Sequence, residues 1–313
     1  MDEVYPKTLL ELERQFATVE DCRRYLARLR WPEGFACPQC GQGQSWTMQR
    51  GLWLCRGCRR QVSVLAGTIF QDTHVPLTLW FRAMWHVTSQ KNGASALGLQ
   101  RVLGLGSYRT AWMMLHKLRR AMVRPGRERL QGRVEVDETY WGAVEEGVKG
   151  RLTHKKALLA VAVEQTQAGF GRIRMRRLVD LRKISLQGFL AESVEPGSTL
   201  LTDGLPAYRE IPGYRHEAVV VRKAKADAST LLPGVHRVIS LLKRWLLGTH
   251  QGAIAQEHLD DYLNEFVFRF NRRKSASRGK LFYRLAQQAV QVGPVPYDSI
   301  VIPPSVGGVE SSA

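Results

Sequence analysis

The sequence predicts an α/β protein of several parts, and three observations carry that prediction. Four of the five cysteines form two C-x-x-C pairs, Cys37 with Cys40 and Cys55 with Cys58. Between Pro76 and Met122 apolar residues recur at helical spacing. From Arg133 onward, alternating or continuously apolar runs interleave with amphipathic segments in the order β-β-β-α-β-α-β-α. The 313 residues, 44% of them hydrophobic, suffice for two or three domains with a substantial core.

Composition narrows the function before any motif does. Lys and Arg total 46 against 28 Asp and Glu, a net charge of +18. Such an excess points to a polyanionic partner, nucleic acid first. There is no apolar run of membrane-spanning length, and Met1–Lys7 lacks the basic-then-apolar layout of a leader. A cytosolic protein without a membrane span is therefore expected. In that reducing compartment paired C-x-x-C units read as a metal arrangement, with Cys22 left over as a buried thiol.

Residues 1–30 read as an N-terminal helical segment in which Thr18 and Asp21 form a capping-box-like helix start. Residues 31–70 read as a zinc ribbon. Each cysteine pair sits on a tight turn, and the four thiolates of Cys37, Cys40, Cys55 and Cys58 complete a tetrahedron around structural Zn2+. A closed four-cysteine site has no open position, so it is assigned no catalytic role. Arg56, Arg59 and Arg60 beside it are candidates for DNA or protein contact.

Residues 71–125 read as a helical, helix-turn-helix-like DNA-binding region. Ala94 to Val102, a turn at Leu103–Ser107, and Tyr108 to Arg120 have that layout. The second helix would read DNA with Arg109, Thr110, Lys117, Arg119 and Arg120, while Trp112, Leu115 and Leu118 pack. A plain three-helix packing module fits the same pattern. A proline-interrupted linker at Arg124–Arg129 then marks a boundary.

Residues 131–290 hold the strands. Arg133 to Tyr140 alternates and carries Asp137; Lys156 to Val163 is continuously apolar; Gly171 to Val179 alternates again. The loop between the first two, with Glu145, Glu146, Lys149, Arg151, His154 and Lys155, is expected in solvent. After a helix at about 182–193, Ser198 to Gly204 is a buried strand ending on Asp203. A short helix, a strand at Glu217–Arg222, Lys223 and Lys225 lead to a helix over Leu231–Leu246. This element order is that of an RNase H-like domain, whose first and fourth strands lie side by side and would bring Asp137 and Asp203 together. On the last helix His236, Ser240 and Lys243 share one stripe, opposite Val235, Val238, Ile239 and Leu242. Solvent exposure of an amphipathic helix accounts for that stripe equally well.

Two carboxylates on neighbouring strands form a hard oxygen site suited to Mg2+ or Mn2+, and two such ions about 4 Å apart suit displacement at phosphorus. His236 on the next helix is placed as a third ligand, or as a group acting on a proton. Glu138 would point to the other face of its strand. Glu257, Asp260, Asp261 and Glu265 flank a packing stripe and are expected at the surface. Arg269, Asn271, Arg272, Arg273, Lys274, Arg278 and Lys280 make a basic end, read either as a solvated face or as a DNA-backbone contact. Residues 291–313 are the C-terminal tail.

From Trp31 to about residue 290 the chain resembles a bacterial insertion-sequence transposase of the DDE superfamily with an N-terminal zinc ribbon. The marks are the two cysteine pairs followed by Gly67–Phe70, Val134–Tyr140, Leu201–Gly204 with Ala207 and Tyr208, Val235–Arg244, Gly248–His250 and His258–Arg273. The resemblance implies that Asp137 and Asp203 bind catalytic metals. It puts His236 in a third position that varies within the family, and Lys243 on transposon-end DNA. It also implies a nucleoid-associated, two-metal DDE enzyme that acts on double-stranded DNA, both transposon ends and target, as a homo-oligomer. The rival expectation is a non-catalytic DNA-binding regulator with a degenerate RNase H-like domain.

Overall fold

The computed structural model describes residues 3–124, 126–142, 156–219 and 231–301. The chain divides into two compact units, one of Met1–Pro125 with Lys274–Val301, the other of Gly126–Arg273. The residues after Arg273 thus belong with the N-terminal part, whereas the sequence pattern carried the second domain on to residue 290.

In the first unit α1 (Leu9–Gln15) and α2 (Val19–Arg30) precede a three-stranded antiparallel sheet of β1 (Ser45–Thr47), β2 (Leu52–Cys55) and β3 (Gln61–Ser63). The capping box that opens α2 is present: Asp21 N–H donates to Thr18 Oγ1 at 3.1 Å, and Thr18 N–H to Asp21 Oδ2 at 3.1 Å. Helices α3 (Leu77–Ser89), α4 (Ala96–Leu103) and α5 (Tyr108–Ala121) follow. Gly104, at φ +64°, supplies the left-handed residue that ends α4 and turns the chain toward α5. The core here is aromatic. Phe16, Tyr25, Phe81 and Phe282 stack edge to face and tilted, with centroids as close as 4.6 Å, and Phe282 comes from a helix after the second unit, Arg278–Ala289. Cys22 is fully buried among them, and burial pushes its thiol up to about 12, so it is an inert packing group.

The second unit is a five-stranded mixed sheet in the order β6–β5–β4–β7–β8. The antiparallel meander is β4 (Arg133–Trp141), β5 (Ala157–Thr166) and β6 (Gly169–Leu178); β7 (Thr199–Thr202) runs parallel to β4, and β8 (Arg215–Ala218) parallel to β7. First and fourth strands of the unit are therefore neighbours, as expected. Alternation along β4 sends Val134 and Val136 to a core shared with α6 (Lys183–Ser193), through Leu186, Phe189 and Leu190. The opposite face of the sheet packs Leu159, Val161 and Val163 against α7 (Pro233–His250) and α8 (Leu259–Asn271). The predicted stripe of α7 is the buried one: Val235, Val238, Leu242 and Leu246 have no exposed surface.

The edge of the sheet is closed by the end of α8. Asn271 Oδ1 accepts Ile173 N–H at 2.7 Å, and its Nδ2 donates to Ile173 O at 3.2 Å, so one side chain plays the part of a sixth strand. Arg273 donates to Gly171 O at 3.1 Å and to Phe170 O. Arg272 lies over the Phe268 ring, 3.9 Å from its centroid. Much of the predicted basic end is thus fastening. The carboxylates here also depart from expectation: Glu257, in the turn before α8, is exposed, but on α8 Asp261 is 7% exposed and Glu265 not at all, because α8 is enclosed around most of its circumference rather than along one stripe.

Candidate active site and metal centre

The ribbon turns bring four thiols together. Cys37 Sγ lies 3.6 Å from Cys58 Sγ, and Cys40 Sγ 3.5 Å from Cys55 Sγ, with all four sulfurs within 4.8 Å of one another. Four thiolates bound at about 2.3 Å in a tetrahedron stand about 3.8 Å apart, so the cluster has the size of a zinc site. Burial raises the Cys37 thiol, but the backbone amides of Cys40 and Gln39 and the neighbouring thiols outweigh it and bring it down to about 6. Nearby, the guanidiniums of Arg56 and Arg59 each lie 4.9 Å from the centroid of the Trp46 ring.

In the second unit the acids stand on one sheet end. The parallel register pairs Val134 with Leu200 and Glu135 with Leu201; the same offset carried two residues beyond the last pair matches Asp137 with Asp203, the residue after β7. Asp137 faces α7, with its Oδ1 accepting the N–H of Glu138 at 2.8 Å. Asp203 sits just past β7 in a turn held by its Oδ1, which accepts Leu205 N–H at 3.0 Å, and by Thr202 Oγ1, which accepts Gly204 N–H at 3.2 Å. Gly204, at φ +87°, permits that turn. His236, in the second turn of α7, puts Nε2 3.8 Å from Asp137 Oδ2; the imidazole is 32% exposed and the carboxylate 14%. Lys243 is half-buried two turns along α7, on the same stripe, with Ser240 exposed between them.

The structure thus brings His236 to Asp137. Among the described residues, the four cysteines are the only group of three or more potential ligands whose donor atoms all lie within 4.8 Å, so Asp203 and His236 do not close on Asp137 to that degree. Glu138 is on the opposite face, as expected, and receives the hydroxyl of Tyr208. Tyr208 is fully buried, and burial, then the Glu138 charge and the charges of Asp137 and Asp203, hold its phenol well above its ordinary value.

Tyr208, which the sequence offered only as part of the motif around Asp203, closes the rear of the acidic strand pair. Glu135, fully buried two residues before Asp137 on the same face of β4, escaped sequence reading. A charged residue at an inward position of a buried strand was the available signal.

Other predicted residues have different fates. On α5, Arg119 is buried and reaches Ala94 O at 3.5 Å, rather than facing outward. Arg120 donates to Ser299 O at 2.6 Å and Oγ at 3.0 Å, and Arg109 lies 4.1 Å over the Tyr297 ring, so a short helix at Tyr297–Val301 occupies two of the expected DNA-reading cations. Burial lowers the Lys117 ammonium below its ordinary range. Lys149, Arg151, His154, Lys155, Lys223, Lys225 and residues 302–313 lie outside the described residues.

Comparison with known proteins fits this layout. Residues 129–271 match the ISXO2-like transposase domain of the IS1595 family, and residues 18–61 match the transposase zinc-ribbon domain of the same family. The chain carries a transposase domain behind a transposase zinc ribbon. The transposase domain coincides with the second unit, and the ribbon match ends within β3. Over 283 residues the chain is 28% identical to an uncharacterized protein in transposable element ISH50 of Halobacterium salinarum, covering 82% of this chain and 92% of that protein. The solved Mos1 mariner paired end complex with Mn aligns with 67% of this chain and 75% of that one, at 11% identity and a TM-score of 0.28, too loosely to bear on the fold. Among the described residues, no helix is long and apolar enough to cross a membrane.

Proposed function

We propose that this chain is a DNA transposase that binds the terminal inverted repeats of its own insertion sequence and catalyses metal-dependent strand cleavage and strand transfer at a D-D-H site. The observation that carries the reading is the approach of His236 Nε2 to within 3.8 Å of Asp137 Oδ2, on the strand that pairs in parallel with β7, which Asp203 follows. The sheet order supports an RNase H-like domain, and α4 and α5 a helix-turn-helix.

Asp137, Asp203 and His236 would hold Mg2+ or Mn2+. Oxygen and nitrogen ligands at about 2.1 Å from one ion stand roughly 3.0–3.5 Å apart, so the Asp137–His236 pair closes by less than about 1 Å to fit. When bound, such ions activate an attacking oxygen and stabilise a leaving one at phosphorus. The chain's own residues do the rest. Water and then a freed 3′-hydroxyl serve in turn as nucleophile, aligned by the two aspartates. Lys243 draws a phosphate of the transposon end along the His236 stripe. Synapsis of two ends calls for a homo-oligomer on DNA.

The test is joining of a labelled transposon end to target DNA in Mn2+ or Mg2+. Asp137→Ala and Asp203→Ala are expected to lower joining by at least about 10²-fold while end binding persists. Joining that survives both substitutions overturns the site. His236→Ala should lower joining and His236→Glu should retain it; an Ala variant as active as the wild type removes His236. End binding with no joining by the wild type under any condition leaves the regulator reading.

A further inference from the structure

Glu135 is buried with no exposed surface, yet it is an acid set opposite Val163 of the apolar strand β5. Both of its oxygens are engaged. Oε2 accepts the N–H of Val235 at 2.8 Å, and Oε1 accepts Gln165 Nε2 at 2.7 Å. Val235 is the third residue of α7, whose flanking residue Leu232 offers no side-chain cap and whose first position is Pro233. The third amide of a helix is one that a cap ordinarily satisfies from the preceding residue. Here the acceptor comes instead from β4, a hundred residues earlier in the sequence, and it sets a negative charge against the positive end of the helix dipole. The fit is close. A Cβ on Gly234 would stand 2.9 Å from Glu135 Oε2 and 2.8 Å from the Phe170 ring.

The consequence is geometric. On β4 Glu135 precedes Asp137 by two residues and shares its face; on α7 Val235 immediately precedes His236. A hydrogen bond between the first members of these two pairs fixes the distance between the second members. We infer that Glu135 is a positioning residue, which clamps the N-terminus of α7 to β4 and so holds His236 at Asp137. The inference rests on the D-D-H reading for its functional meaning, while the clamp itself is independent of it.

The experiment uses the full zinc-loaded chain. Amide exchange of Glu135→Ala should speed up at least tenfold at the N-terminus of α7 while the centre of β5 keeps its protection. Mn2+ bound to the wild type should show the 14N coupling of an imidazole ligand in pulsed electron paramagnetic resonance; Glu135→Ala should bind Mn2+ with that coupling lost. Half-maximal joining should then require at least ten times more Mn2+, with end binding unchanged. Glu135→Gln retains an acceptor for Val235 N–H and should recover most of each signal. A merely structural loss would raise exchange throughout the unit and would not be rescued selectively at the metal. If Glu135→Ala fails to fold, Gly234→Ala keeps the acid but forces the helix away and should shift exchange and Mn2+ requirement in the same direction. Unaltered exchange at α7 in Glu135→Ala, or in Gly234→Ala where the first does not fold, overturns the clamp. A wild type without joining or 14N coupling defeats the D-D-H reading instead, and exchange alone then decides the clamp.

Discussion

The ribbon and the strand-end site are both places where a cation would sit, and they are built in opposite ways. The ribbon draws its four ligands from residues 37–58, on turns that fix each pair locally, and its sulfurs already stand within 4.8 Å of one another. The proposed strand-end site draws Asp137, Asp203 and His236 from one strand, the end of another and a helix, held by sheet register and one buried carboxylate, with Asp137 Oδ2 and His236 Nε2 still 3.8 Å apart. A structural centre made of local turns is complete in the fold. The site proposed at the strand end, assembled from distant segments, stays more open, as one that admitted DNA would have to be.

The strongest test of that contrast lies at the ribbon. Cys37→Ser with Cys40→Ser removes two of four thiolates, and structural zinc contributes on the order of 10 kcal/mol to the folding of such a module. Zinc content should fall to background, and protease cleavage should appear within residues 31–63, while the second unit keeps its protection. A ribbon that stays protected without zinc would break the comparison. Next in size is the edge clasp of the second unit's sheet. Asn271→Ala strips partners from the N–H and C=O of Ile173, a fully buried residue. The expected loss is about 1–3 kcal/mol, read from the urea midpoint of the second unit; an unchanged midpoint would mean that the strand edge needs no such cover.

The same contrast explains what was legible in the sequence. Cysteine spacing, the Thr18–Asp21 capping box and the α7 stripe are local patterns, and each appears where the residues put it. The adjacency of Asp137 and Asp203 required only an element order. What stayed hidden depends on pairings between distant segments. The Arg120 side chain meets Ser299, 179 residues away; Asn271 meets Ile173, 98 away; Glu135 meets Val235, 100 away. A basic residue at a helix end has the same local appearance whether it faces DNA or fastens a strand. Asp261 and Glu265 misled in the same way, because an apolar stripe marks one buried side of a helix and is silent about a second.

Smaller effects separate function from stability at the strand end. Asp137, Asp203 and Glu138 concentrate negative charge around Tyr208, whose phenol is held above its ordinary value by burial first and by these charges after it. Like charges held together oppose folding, so Asp137→Ala should leave the unfolding midpoint unchanged or raise it by less than about 1 kcal/mol while joining is lost. A clear fall in stability would show that Asp137 serves the fold as the cysteines do.

The smallest expected effect is a pH dependence in the hairpin that carries Gln165. Glu164 receives Arg172 Nη2 at 2.9 Å and Nε at 3.2 Å, along with the amides of Arg172 and Gln131, both at 3.2 Å. Burial alone would raise its carboxyl, but these donors, the guanidinium foremost, outweigh it and hold the group below its ordinary value of 4.5. Gly171 leaves the space, since a Cβ there would stand 2.7 Å from Glu164 Oε2. With the folded carboxyl depressed, the unfolded chain takes up the proton first as the pH falls. The contribution is therefore fully present above about pH 4.5 and is lost as the pH drops through the lower folded value. Urea midpoints of the wild type and Glu164→Gln should differ most near neutral pH and converge as the pH falls below about 4.5. A constant difference over that fall in pH would mean that packing around the side chain, rather than its charge, holds the hairpin whose Gln165 donates to Glu135.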